Sequence, residues 1–228
     1  MDSGLYNKEI ECPVCSMKFE VTKVKTKACK VANRDSDFCV HYEGLNPILY
    51  DVWVCENCGY AALSDRFEDI STKDAGIIKQ SISPRWHKRS FAGERNTEMA
   101  VEAFKLALLN LQVRSAKASE LAKICLRIAW LYRYANDERE KDFLKFALRN
   151  YDEAYQKERF PIDKLDEFTC MFIIAELYRR IGDKENSILW FSRLISSPDA
   201  RQNAKLIESA REQFQLVKEQ GGNNTTSA

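Results

Sequence analysis

The spacing of apolar positions changes once along the chain, near residue 93. Before that point apolar residues come in short alternating runs. Met17, Phe19 and Val21 alternate with polar neighbours, and so do Ile48, Tyr50, Val52 and Val54. A period of two predicts strands with one buried face. After residue 93 the apolar positions recur at three and four, the spacing of amphipathic helices. The expected plan is a helix over 95–113, a pair 116–135 with 138–157, a pair 164–182 with 184–196, and a closing helix over 199–219. Asp137 and Asp183 stand where they can cap the second helix of each pair, and Pro161 and Pro198 break the chain between units. A shorter stretch, Asp74 to Ser81, also fits a helix that Pro84 would stop.

The helices carry a weak repeat. Ala100, Phe104 and Ala107 share a small–aromatic–small spacing with Ala147, Tyr151 and Ala154, and more loosely with Ser187, Phe191 and Leu194. Ala129, Tyr132 and Asn136 match Ala175, Tyr178 and Gly182. Small residues let paired helices approach, and the aromatic fills the gap above them. This favours tetratricopeptide-like stacking over an irregular bundle. The expected fold class is therefore α+β, mostly α. A small metal-binding ribbon over 1–93 precedes an antiparallel helical-repeat array over 94–219 and a polar, disordered tail over 220–228.

Composition narrows the function. Of 228 residues, 35 are Lys or Arg and 34 are Asp or Glu, which excludes a globally basic nucleic-acid coat. The longest apolar run, Cys170 to Ala175, is too short to span a membrane. Met1 to Glu11 is polar and has no apolar leader, so the expected compartment is the cytoplasm. There, cysteines serve as metal ligands or buried thiols more often than as disulfides. His41 and His87 are the only histidines, which excludes an HExxH zinc protease. Neither common phosphate-binding glycine loop is present.

Cys12-Pro-Val-Cys15 and Cys55-Glu-Asn-Cys58-Gly59 are two CxxC knuckles. Each puts two thiolates on one side of a tight turn, and two facing knuckles offer a tetrahedron of sulfur that suits one Zn²⁺. Iron is the alternative at the same geometry. Gly59 fits the left-handed residue that follows such a turn. A redox CxxC is the weaker reading, because no βαβ pattern surrounds either motif. Four thiolates close the coordination sphere, so the expected role is structural.

The long insert between the knuckles holds Cys29, Cys39 and His41. These could join a second metal site, with or without His87, although a buried Cys39 and a turn His41 is the simpler reading. The insert also carries Lys18, Lys23, Lys25, Lys27, Lys30 and Arg34, followed by Asp35, Asp37 and Glu43. Such lysines either track a phosphate backbone or form a solvated strand edge. Cys125 and Cys170, like Trp130, Trp190, Phe143 and Phe146, are expected in the core.

Asp35-Ser36-Asp37-Phe38-Cys39, then Tyr42, Gly44, Asn46-Pro47, Tyr50 and Val54 to Ala62 resemble a bacterial family known as domain of unknown function 2225. The resemblance runs from about Cys12 through most of the helical region. It implies a cytoplasmic bacterial protein with a zinc-ribbon-like module and a tetratricopeptide-like tail, and it implies no activity. Glu56 stands where the family more often has proline, a departure that touches turn stiffness and not ligation.

The expected function is a non-enzymatic adaptor whose helical array binds a protein segment. With Ala129 and Ala175 facing the sister helices, the groove would be lined by Lys123, Leu126, Trp130, Arg133 and Tyr134, and by Thr169, Phe172, Glu176, Arg179 and Arg180. Cations beside aromatics suit an acidic segment or a free carboxylate. The rival expectations are a nucleic-acid-binding ribbon that uses the lysines of the insert, and a metal-dependent enzyme.

Overall fold

The computed structural model describes residues 4–222, with side chains to residue 219. The fold is α+β and mostly α. Three antiparallel hairpins come first: β1 (Leu5–Glu11) with β2 (Lys18–Val24), β3 (Cys29–Arg34) with β4 (Val40–Gly44), and β5 (Val52–Val54) with β6 (Ala61–Leu63). Seven helices follow: α1 (Thr72–Ser81), α2 (Thr97–Val113), α3 (Ala118–Tyr134), α4 (Glu140–Lys157), α5 (Glu167–Ile181), α6 (Lys184–Ser196) and α7 (Ala204–Gly222). No helix among the described residues is long and apolar enough to cross a membrane.

The helices lie close to the ranges expected from periodicity. From α2 onward each packs on the next, so α3 with α4 and α5 with α6 form antiparallel hairpins in a stack. The small and aromatic positions face inward: Ala100, Phe104, Ala107, Ala147, Tyr151, Ala154, Ser187, Phe191 and Leu194 are all buried. The Ser187 hydroxyl donates to the Ala175 carbonyl at 3.0 Å, so α5 and α6 meet almost backbone to backbone. Asn136 and Gly182 both take positive φ, 51° and 91°, and end the first helix of each pair. Asp183 caps α6 by accepting from the Asn186 N–H. Asp137 instead accepts from the Arg139 N–H in the turn ahead of α4.

Four further expectations need correction. Ile48 and Tyr50 do not lie on a strand. Asn46 accepts from the Ile48 N–H and Pro47 sets φ, so 47–50 close into a 3-10 turn whose two alternating residues are nonetheless buried. The closing helix is broken, because Pro198 opens a 3-10 turn over Asp199–Gln202 and α7 starts only at Ala204. Gln220 to Gly222 continue α7 rather than opening the tail, and residues 223–228 of the expected tail lie outside the described residues. Phe146 is 51% exposed, resting edge-on against Phe143.

The apolar core crosses residue 93. Strand β5 is buried on both faces, at Val52, Trp53 and Val54. Trp53 points into the core of the ribbon, around Phe67, Phe19 and Tyr60. Val52 and Val54 pack with Phe104, Ala107, Ile128 and Leu131 of α2 and α3. Arg95 fixes this seam. It is 4% exposed and forms no ion pair with a carboxylate among the described residues. Its guanidinium donates instead to the carbonyls of Phe91 at 2.8 Å, Leu49 at 3.1 Å and Val52 at 2.8 Å, while its backbone N–H donates to the Tyr50 hydroxyl. Burial lowers its pKa to about 10.

Arg95→Ala strips the donors from these carbonyls in a dry interior. It should lower unfolding free energy by roughly 3 kcal/mol. Arg95→Lys should recover only part of this, since an ammonium lacks the planar fork. Urea denaturation of the three proteins measures both effects.

Candidate metal centre

Each knuckle is the turn of a hairpin. Cys12 and Cys15 sit between β1 and β2, and Cys55 and Cys58 between β5 and β6. The two turns repeat one hydrogen-bond pattern. In the first, Ser16 N–H donates to Cys12 O at 2.8 Å and Cys12 N–H to Met17 O at 3.0 Å. In the second, Gly59 N–H donates to Cys55 O at 2.9 Å and Cys55 N–H to Tyr60 O at 2.8 Å. Ser16 and Gly59 occupy the same place and both have positive φ, 59° and 75°. Glycine has a second reason to be at 59. A Cβ there would meet the Trp86 ring at 2.7 Å. Trp86 in turn donates its indole N–H to Glu56 O at 2.7 Å, which clamps the second knuckle from outside.

The four sulfurs lie within 4.8 Å of one another. Cys12 Sγ is 3.7 Å from Cys58 Sγ, and Cys15 Sγ is 3.6 Å from Cys55 Sγ. A tetrahedral ion bound at about 2.3 Å sets its sulfurs about 3.8 Å apart, so the set fits such an ion. The Asn57 amide donates to Cys15 Sγ at 3.5 Å, an outer contact that aims a ligand. Proton sharing in the cluster is lopsided. Bonds from Cys12 and Cys58 hold the Cys55 thiol far below the usual range, while donation to Cys55 holds the Cys12 proton well above it.

Of the ten expected groove residues, three stand apart and seven come together. Lys123 is apart from the others, 3.9 Å from Asp65, with its pKa lowered by burial. Leu126 is buried in the core, and Thr169 is tied to the α5 N-cap by its hydroxyl bond to Asp166. Trp130, Arg133, Tyr134, Phe172, Glu176, Arg179 and Arg180 do come together, but the surface they form is not open. The tip of the β3–β4 insert lies on it. Arg133 meets Asp35 at 2.6 Å, Asp37 at 2.7 Å and Glu140 at 2.7 Å. Trp130 donates its indole N–H to Asp37 at 3.1 Å, and Arg180 reaches Asp37 at 3.3 Å. Ser36 donates to Glu176 at 2.6 Å, and Glu176 also holds Arg179 and Arg180 at 2.6 and 2.8 Å. Phe38, at φ 68°, packs on Phe172 with ring centroids 5.6 Å apart. The Tyr134 hydroxyl donates to Val40 O at 2.8 Å.

Asp37 and Glu176 have no exposed surface. The acidic segment that this surface suits is therefore supplied by the chain itself. The sequence signal was available: the Asp35-Ser36-Asp37-Phe38 run has the charge and the aromatic that the groove residues call for. Glu140 and Arg95 had no such signal. Cys39 is buried beside Tyr134, as the simpler reading held, but His41 is on β4 and lies 3.0 Å from Asp35. Cys29 is apart from both, its thiol near Lys25 O, and His87 is exposed. Cys125 and Cys170 are in the core. The lysines of the insert do not form one patch. Lys18 pairs with Glu9, Lys30 pairs with Glu43, and Lys23 lies over the Trp53 ring.

The family model described as "Uncharacterized protein conserved in bacteria (DUF2225)" matches residues 5–217, and the chain belongs to that family. The chain is also similar to an uncharacterised protein of Borreliella burgdorferi. The two are 22% identical over 209 residues, covering 82% of this chain and 75% of the other. No solved structure matches.

Arg133→Ala leaves the buried Asp37 carboxylate without its main partner. It should cost about 3–5 kcal/mol, far more than a solvated arginine would. Chemical denaturation of this variant checks the value.

The acid limb of stability tests the same cluster. Burial raises the Asp35 carboxyl, but the His41 ring and the Arg133 guanidinium beside it outweigh this, so its folded pKa lies below 3.8. The stabilisation is therefore present above pH 3.8 and lost as pH falls through the folded value. Asp35→Asn should flatten the loss of Tm below about pH 4 and lower Tm at pH 7.

Proposed function

We propose that the protein is a non-enzymatic scaffold of the cytoplasm in which a structural Zn²⁺ holds the two knuckles together and a tetratricopeptide-like array binds an acidic segment of a partner protein. One observation carries the partner reading. The cationic, aromatic face of α3 and α5 already holds a short acidic segment with one aromatic, Asp35 to Phe38. Arginines there are spent on carboxylates, Trp130 and Ser36 complete the polar contacts, and Phe172 receives the ring. Charge-assisted bonds with an apolar anchor are the chemistry of short-segment recognition. A partner segment of the same kind would compete with the insert, so affinity would be set by the difference between two similar ligands.

The donor set supports zinc as the ion. Four thiolates at tetrahedral spacing favour Zn²⁺ over harder divalent ions and leave no position open for substrate. Eight cysteines without a disulfide among the described residues suit a reducing compartment.

Purified protein should carry zinc at Cys12, Cys15, Cys55 and Cys58. Cys55→Ser should lose that ion and, because β5 is shared, unsettle α2 as well as the ribbon while α4 to α6 keep their helicity. Elemental analysis and circular dichroism check both parts. For the groove, a fluorescent peptide copying residues 33–41 should bind Phe38→Ala at least about tenfold more tightly than wild type, since the loosened insert competes less well. Equal or absent binding to both proteins would contradict the groove reading.

A further inference from the structure

We propose that Asp35, Cys39 and His41 form a second site for a divalent cation of the zinc class, distinct from the four-cysteine centre and with one coordination position open. One donor atom from each of the three residues lies within 4.8 Å of the others. The hairpin tip brings them together. Asp35 N–H donates to Cys39 O at 2.8 Å, which sets these two residues across the turn, and Cys39 and His41, two apart, both meet Tyr134.

The imidazole is the telling group. His41 Nε2 is shielded from solvent and makes no hydrogen bond. It lies 3.0 Å from Asp35 Oδ2, within ion-pair distance. Buried ring nitrogens are normally satisfied. A nitrogen, an oxygen and a sulfur that converge within 4.8 Å of one another are arranged as ligands are. The Tyr134 ring meets His41 edge-on at 5.6 Å and holds its orientation.

The surroundings suit a cation. Around the tip, four carboxylates, Asp35, Asp37, Glu140 and Glu176, face three guanidinium groups, Arg133, Arg179 and Arg180. The cluster therefore carries surplus negative charge before any thiolate forms. Arg133 grips Asp35 at 2.6 Å, as an outer partner steadies a ligating carboxylate. Mixed S, N and O donors select a borderline ion such as Zn²⁺ over Ca²⁺ or Mg²⁺. Burial keeps the Cys39 thiol protonated, with a pKa of about 11, so binding would release its proton to solvent as the metal–sulfur bond forms. Three protein ligands leave the fourth tetrahedral position to water or an incoming donor. Because the ligands sit on the segment that closes the α3–α5 face, the ion would strengthen that closure.

The test uses the full chain, stripped with a chelator and titrated with Zn²⁺ against a chromophoric indicator. Wild type should take up two equivalents. Asp35→Asn, Cys39→Ser and His41→Gln should each keep one and lose the other, with the weaker affinity falling more than about a hundredfold, beyond the usual loss from removing an outer-shell partner. His41 is part-exposed, so His41→Gln should fold even where Cys39→Ser does not. The Cys12→Ser, Cys55→Ser double variant should keep one equivalent that His41→Gln then abolishes. Saturation of wild type at one equivalent, or two equivalents retained by folded His41→Gln, would overturn the proposal. Neither result bears on the four-cysteine centre.

Discussion

Asp37 is a carboxylate with no exposed surface, and Arg133 and Arg180 surround it while Trp130 donates to it. Such a group would be costly alone, and removing any one partner exposes that cost. The arrangement ties three distant parts of the chain: the insert, α3 and α5. Glu176 repeats the device one turn of helix away, with Arg179, Arg180 and Ser36. Two buried acids thus set where the insert lies, and the insert sets which part of the helical array faces solvent.

The metal centre and the helical stack are linked by a second constraint, the three residues of β5. Trp53 belongs to the ribbon core and Val52 and Val54 to the helical core. The knuckle at Cys55 begins directly after them. An ion held by the four sulfurs would cross-link the two hairpin turns and fix β5, and β5 seats the ribbon on α2 and α3. Arg95 locks the other side of the strand through backbone carbonyls. The ribbon and the array share one continuous interior, and a disturbance at the cysteines should reach α2 before it reaches α6.

Much of this was legible in the sequence. Knuckle spacing located all four sulfurs, because CxxC is a local geometry that needs no tertiary information. Helix ranges followed from periodicity for the same reason. The small–aromatic positions located the helix contacts. Seven of the ten groove residues converge in space, while Lys123, Leu126 and Thr169 do not. What periodicity could not give was long-range occupancy. Asp35 is nearly a hundred residues from Arg133, and nothing in local pattern says that a hairpin tip folds back across two helix pairs. The pairing of Asp35 rather than Cys29 with Cys39 and His41 was hidden for a related reason. It depends on the turn at 35–39, where Phe38 takes a left-handed conformation that side chains of its kind rarely adopt.

The central claim is that the chain's own acidic segment covers the cationic face of α3 and α5 in solution. Native-state hydrogen exchange tests it without any partner. The amides of Asp35, Phe38 and His41 should exchange as slowly as those in the middle of α3 and α5, since release of the tip would expose Asp37 and Glu176 together. Exchange of these amides at the rate of an open loop, with α3 and α5 still protected, would contradict the account.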